Sequence, residues 1–195
     1  MISKSKVYKI FPQFQALVER QFLTKIKSIQ TDWGGEYHKL HNYFVNMGIR
    51  HRLSCHYTHE QNSLVEHRNR YIVETGLSIL AQGAIHGHFW HFAFKSVVYL
   101  INRLPSKVSH NITHFQCVYK YVPVYKFLKV FGCLCYPFLR PYHKNKMEYR
   151  SSPCVFLSYN DSYHGYSCMD LKTNWIYMAR HVRFVEFNFP FTGPS

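Results

Sequence analysis

Two carboxylates in this sequence sit where metal-dependent phosphoryl chemistry would want them. Asp32 lies in QTDWGGEY, just before the paired glycines 34 and 35, and Glu66 lies in EQNSLVEHRNR, 34 positions later. A carboxylate at a strand end and another in the first turns of the following helix can converge in an α/β layer. Converging carboxylates suit hard divalent cations such as Mg²⁺, which keep sites for water and phosphate. Two such ions about 3.5–4 Å apart activate an attacking oxygen and stabilise a leaving one in phosphodiester chemistry. Asn62 and Arg70 lie four residues before and after Glu66, on the same helical face. With His67 and Arg68 they bring polar and positive groups beside the carboxylate, as a phosphate requires. A plainer alternative stands beside this one. Glu66 and Arg70 also suit an exposed ion pair worth about 0.2–0.5 kcal/mol, and Asp32 suits a turn ahead of two glycines. From spacing alone the plainer alternative is the commoner.

The elements that would position these groups follow from periodicity. Ile10, Phe14, Leu17 and Val18 in IFPQFQALVERQF share one helical face, and Pro12 suits the first turn of that helix. KIKSIQT reads as a strand ending at Asp32; HKLHNYFVNMG as a short helix stopped by Gly48; IRHRLSC as a second strand. HYTHEQNS is a polar loop. LVEHRNRYIVETGLSILAQG reads as a long helix with Asn62 or Ser63 as its N-cap, and HFWHFAFKSVVYLINRL as an apolar helix ended by Pro105. The first hundred residues thus read α-β-α-β-α-α. Residues 105–126 form a connector with little periodicity. From Phe127 the chain breaks into short strands, FLKVFGCLCYP, SSPCVFLSY, GYSCMDL and WIYMARHVRFVE, whose spacing suggests a small β-barrel.

Composition narrows the partners. The net charge is +14, and a balance that basic points to a polyanion, nucleic acid first. Hydrophobic residues are 47% of the chain, enough for a packed core. Aromatics reach 18%; core packing is their commoner use and base stacking the other. The six cysteines form no C-x-x-C pair, and MISKSKVYK has no apolar leader, so they are expected to be reduced, as in an intracellular protein. The longest apolar stretch, residues 89–101, is too short for a bilayer and contains His91 and Lys95. His51, Cys55, His56 and His59 match no standard structural zinc spacing.

The segments IKSIQTDWGGEY, GIRHRLSCHYTHEQNSLVEHRNRYIVETGLSIL, FWHFAFKSVVYLINRLPS, LKVFGCLCYPFLRPYHKNKMEYRSSPCVFLSY and WIYMARHVRFVEFNFPF occur in an order that is itself informative. Together they resemble the integrase region of plant copia-type retrotransposon Pol polyproteins, nearly end to end. The resemblance implies an α/β, RNase H-like integrase catalytic core, truncated here at its first strands, over 1–104. A connector over 105–126, an all-β SH3-like barrel over 127–187 and a tail over 188–195 would follow. It implies an Asp-Asp-Glu site using Mg²⁺ or Mn²⁺, DNA integration in the nucleus, and DNA, or RNA, as partner without a membrane. Asp32 then matches the second triad Asp and Glu66 the triad Glu, as catalytic and metal ligands. Gln61-Asn62-Ser63 stands where the family usually has QNG, His56 where it has Pro, and His67-Arg68 where it has a basic pair.

The family's first triad Asp lies on a strand upstream of IFPQFQALVERQF, so the expectation for this chain is an inactive two-carboxylate remnant with weak metal affinity. Nucleic-acid binding through Asn62, Arg68, Arg70, Arg140, Lys144 and Lys146 is expected to persist. The alternative is a non-enzymatic basic binding module, or a protein-interaction module built on the barrel. KIKSIQT would present an open edge that invites aggregation or pairing with another chain.

Overall fold

A computed structural model describes residues 6–32, 34–54, 63–105, 110–142, 147, 149–160 and 162–193. Packing divides the chain into two compact units, Met1–Asn69 and Arg70–Ser195.

The first unit contains α1 (Val7–Phe22), β1 (Ser28–Thr31), α2 (Gly35–Asn46) and β2 (Arg50–Leu53). The two strands are parallel, with Ser28 opposite Arg50 and Thr31 opposite Leu53. Parallel neighbours need a crossover, and α2 supplies it. That helix stops where Gly48 turns left-handed at φ 68°. Ile49 N–H then reaches back to Phe44 C=O at 2.8 Å and Gly48 N–H to Val45 C=O at 3.0 Å, the pair of bonds that closes a helix around a left-handed residue. Leu40, Phe44 and Ile49 form the buried centre, with Val7, Phe11, Ile26 and Ile29 against them.

Helix α1 departs from its periodicity. Its packed side carries Val7 and Phe11, with Gln15 accepting a hydrogen bond from Tyr43 Oη at 3.0 Å. Ile10, Phe14 and Leu17 are exposed. The helix also begins well before Pro12, which sits inside it. Pro12 leaves the Tyr8 carbonyl without its helical donor. The added turn lets Val7 pack against the buried centre, which offsets that loss.

The second unit takes the rest of α3 (Ser63–Gln82), then α4 (Trp90–Arg103), α5 (His114–Tyr119) and β3 (Leu134–Pro137), β4 (Cys154–Asn160), β5 (Gly165–Asp170), β6 (Ile176–Ala179) and β7 (Val182–Val185). The strands form one antiparallel sheet in the order β6-β5-β4-β3-β7. Only Arg180 and His181 separate β6 from β7, yet these strands lie at opposite ends of that order. The sheet must therefore curl until its edges nearly meet, which makes it a barrel.

Strand β4 is buried on both faces. Val155 and Leu157 pack with Met169 against Leu80, Ile85 and Ala93 of the helical layer. Phe156, Cys154 and Tyr159 pack with Cys133, Cys135, Tyr166 and Cys168. A bulge between Phe156 and Ser158 lets Tyr159 join the Phe156 side. The bulge skips Leu157 in the ladder, and buried Ser96 Oγ of α4 donates to the Leu157 carbonyl at 3.1 Å. Helices α3 and α4 approach closely at Gly76, where any Cβ would run into the Phe94 ring.

Three further expectations change here. The connector 105–126 holds α5, whose cap Thr113 Oγ1 accepts from Gln116 N–H at 2.9 Å. WIYMARHVRFVE, read as one strand, is two strands on opposite sheet edges. The segment 70–103 packs with the sheet, whereas the sequence grouped it with the residues before it.

Candidate nucleic-acid interface and carboxylate pair

Asp32 directly follows β1 and is exposed. Its Oδ1 accepts from Gly34 N–H at 3.1 Å, an Asx turn leading into α2. Just before it, buried Thr31 bonds His51 Nε2 through its Oγ1 at 2.9 Å. His51 Nδ1 in turn lies 3.1 Å from His41 Nδ1. One of these nitrogens must donate and the other accept across that contact. Burial, then the neighbouring His41, pushes the His51 pKa below its ordinary value. The backbone entering Asp32 is therefore held by a polar chain of Thr31, His51 and His41.

Glu66 is exposed in the first turn of α3, where a carboxylate complements the helix N-terminus. Arg68 and Arg70 are exposed on the same helix. Asp32, Glu66 and Arg68 belong to the first unit, Arg70 and Arg140 to the second. Arg140 is exposed in a short 3-10 turn, Arg140–Tyr142. Asn62, Lys144 and Lys146 lie outside the described residues, as do Cys55, His56 and His59 of the weighed zinc cluster. Among the described residues no three His, Cys, Asp or Glu side chains gather as a metal-holding group.

Three other described acids are already engaged. Glu19 Oε1 accepts from Ile26 N–H at 2.8 Å and Gln15 Nε2 at 3.1 Å. Glu186 pairs with Lys129 Nζ at 2.9 Å. Asp170 is buried at the β5–β6 turn and takes hydrogen bonds from Ser152, Lys172 and Thr173. The described cysteines are free thiols. Burial pushes Cys133 and Cys154 up to about 12, and the hydrogen bond that the Cys135 thiol donates to Cys168, together with burial, raises Cys135 as well. These thiols pack and do not react.

No motif in the sequence singles out Arg103, Arg150, Arg180 or Arg183. The Arg103 guanidinium lies 3.3 Å from the Tyr99 ring centre and 4.6 Å from that of Phe115. Arg183 stands opposite Tyr136 across β3 and β7. The alternation of VRFV signals an outward Arg183 once β7 is known to be a strand of its own. Among the described residues no helix is long and apolar enough to cross a membrane.

A curled five-stranded antiparallel sheet with a basic surface defines the class. Residues 133–195 match the family described as the retroviral polymerase SH3-like domain. Over 97% of its length the chain is 44% identical to the retrovirus-related Pol polyprotein from transposon RE1 of Arabidopsis thaliana. Over 94% it is 35% identical to that from transposon TNT 1-94 of Nicotiana tabacum. The chain is a homologue of the Pol polyproteins of copia-type transposons. It covers 13% of the length of the first relative and 14% of that of the second. A chain in the cryoEM structure of the simian T-cell lymphotropic virus intasome in complex with PP2A regulatory subunit B56 gamma aligns with a TM-score of 0.48 and 15% identity. That alignment covers 92% of this chain and 63% of the other.

Proposed function

We propose that this chain is a nucleic-acid-binding segment of a retrotransposon integrase, with residues 1–104 part of an RNase H-like catalytic layer. The observation that carries the reading is the homology to Pol polyproteins over nearly the whole chain, joined to a net charge of +14. Phosphate neutralisation by such a surface supplies affinity without regard to base sequence. Arg68, Arg70 and Arg140 are exposed cations suited to it.

Asp32 and Glu66 are the carboxylates that would hold a divalent ion. Both are exposed carboxylates, and hydrated Mg²⁺ or Mn²⁺ is commonly held by one or two such groups together with water and phosphate. When bound, the ion supplies charge stabilisation for a phosphodiester oxygen. The chain's own part is to hold Asp32 at the end of β1 through the Gly34 N–H bond and the Thr31–His51 contact. Two carboxylates are too few ligands for two ions, and three of the other described acids, Glu19, Asp170 and Glu186, serve the fold.

The test has two arms. Purified chain incubated with donor and target DNA should give no strand transfer with Mg²⁺ or Mn²⁺; activity abolished by Glu66→Gln would overturn the two-carboxylate account. Anisotropy with a labelled duplex should show binding that weakens when Arg68→Gln and Arg70→Gln are combined. An affinity unchanged by that pair would remove α3 from the interface.

A further inference from the structure

The second unit carries two clefts that meet at His181. One, of about 670 Å³, is lined by Tyr99, Arg103, Phe115, Tyr119, Tyr121 and Arg180 among others. The other, of about 520 Å³, is lined by Tyr136, Phe138, Arg150 and Arg183. His181, in the two-residue link between β6 and β7, lines both. Both fall in the range of clefts that take small ligands, about 300–1,000 Å³. No Asp or Glu lines either cleft among the described residues. The rings are not simply core. Tyr121 is 58% exposed, Tyr119 49% and Phe138 43%, and Arg150, Arg180 and Arg183 are exposed as well.

Aromatic faces beside arginines, with no carboxylate, fit a ligand that carries both flat rings and regular negative charge. Unstacked nucleotides have both. A duplex buries its bases in its own stack and meets proteins through phosphates and groove edges, so it leaves such ring faces unused. An acidic peptide uses the arginines but not the rings. We propose that the two clefts form one track for single-stranded nucleic acid, with bases stacked on Tyr119, Tyr121 and Phe138 and phosphates held by Arg150, Arg180 and Arg183. The track rests on the nucleic-acid reading above but uses none of the cations that reading named.

The test compares a fluorescein-labelled oligothymidylate of about 12 nucleotides, a length single-strand binders occupy, with a duplex of equal length, on the full chain. Tyr121→Ala should weaken single-strand binding about fivefold or more, the low end of one lost base stack, and change duplex binding less than about twofold. Tyr121→Phe should restore it, since the ring carries the contact. Arg180→Gln combined with Arg183→Gln should weaken it further and lower its salt dependence. Melting curves establish that each variant is folded. Equal losses for both DNAs, or a neutral Tyr121→Ala and a neutral arginine pair, would overturn the track while leaving binding through α3 in place. An oligoglutamate that binds more tightly than the oligonucleotide and is lost with the arginine pair would assign the clefts to an acidic peptide and overturn the proposal. Absence of any nucleic-acid binding by the parent would overturn the underlying reading with it.

Discussion

Asp170→Ala should unfold the second unit early, and the structure gives the size of the effect. Asp170 is 5% exposed. Its Oδ2 accepts from Ser152 Oγ at 2.6 Å, and its Oδ1 from Lys172 N–H and Thr173 N–H at 2.9 Å and Thr173 Oγ1 at 3.1 Å. Each hydrogen bond to a charged acceptor is worth about 1.5–3 kcal/mol, but Lys172 and Thr173 are exposed and their donors regain water in the variant. The loss should therefore be about 2–3 kcal/mol, not the full sum. For a unit of this size each kcal/mol moves the melting point by about 3–4 °C, so a fall of about 6–12 °C is expected by circular dichroism. Asp170→Asn keeps an oxygen for the turn and should lose about half as much. Acidity supplies a second check. Burial alone would raise the Asp170 pKa, but the bonds from Ser152, Thr173 and Lys172 outweigh it and hold the pKa below the ordinary value. A depressed folded pKa gives stability that is present above the unfolded value, about 3.9, and is lost as pH falls through the folded one. The gap between parent and Asp170→Asn should thus be full at pH 6 and close in stronger acid. A melting point for Asp170→Ala within about 2 °C of the parent would mean that these hydrogen bonds do not hold the turn.

Gly76→Ala should destabilise by about 1–2 kcal/mol, because overpacking against the Phe94 ring exceeds the gain in helix propensity; a higher urea midpoint would show that α3 and α4 have room to spare. Tyr159→Phe should cost about 2 kcal/mol, since the hydroxyl both accepts from Lys129 N–H and donates to Lys129 C=O, each at 2.8 Å; an unchanged midpoint would mean water replaces it. The lowered His51 pKa makes the first unit lose stability as pH falls through the ordinary histidine value of about 6.5. Amide exchange in β1 and β2, corrected for intrinsic rate, should therefore rise between pH 7.5 and 5.5, and His51→Gln should flatten that rise.

Much of the fold was legible because its signals are local. Gly48 marks the end of α2 by its own backbone freedom, and the apolar run from Trp90 marks α4 by length and pattern. What was missed depends on contacts distant in sequence. Nothing in IFPQFQALVERQF says whether Phe11 or Phe14 faces inward, since both rows are apolar; Phe44 decides it by packing on Phe11 at 5.1 Å between ring centres. At Arg180-His181 two adjacent polar residues interrupt the alternation, but so short an interruption does not say that the next strand crosses to the opposite edge; the curl of the sheet requires it. Helix α5 is too short for its periodicity to show, and its cap Thr113 is the one local sign. The carboxylates Asp32 and Glu66 were findable by type and spacing. The aromatic clefts were not, because their rings come from α4, α5, the turns after them and the sheet.

A surface this basic should bind nucleic acid, and the affinity of the whole chain for labelled DNA as salt rises from 50 to 200 mM puts that to the test. Counterion release predicts that log K falls linearly with log salt, by about 0.9 per phosphate neutralised on duplex and about 0.7 on single strands. A slope of about −3 or steeper is expected here, and it should become shallower when arginines are removed in pairs. A flat salt response, or no binding at the lowest salt, would contradict the account.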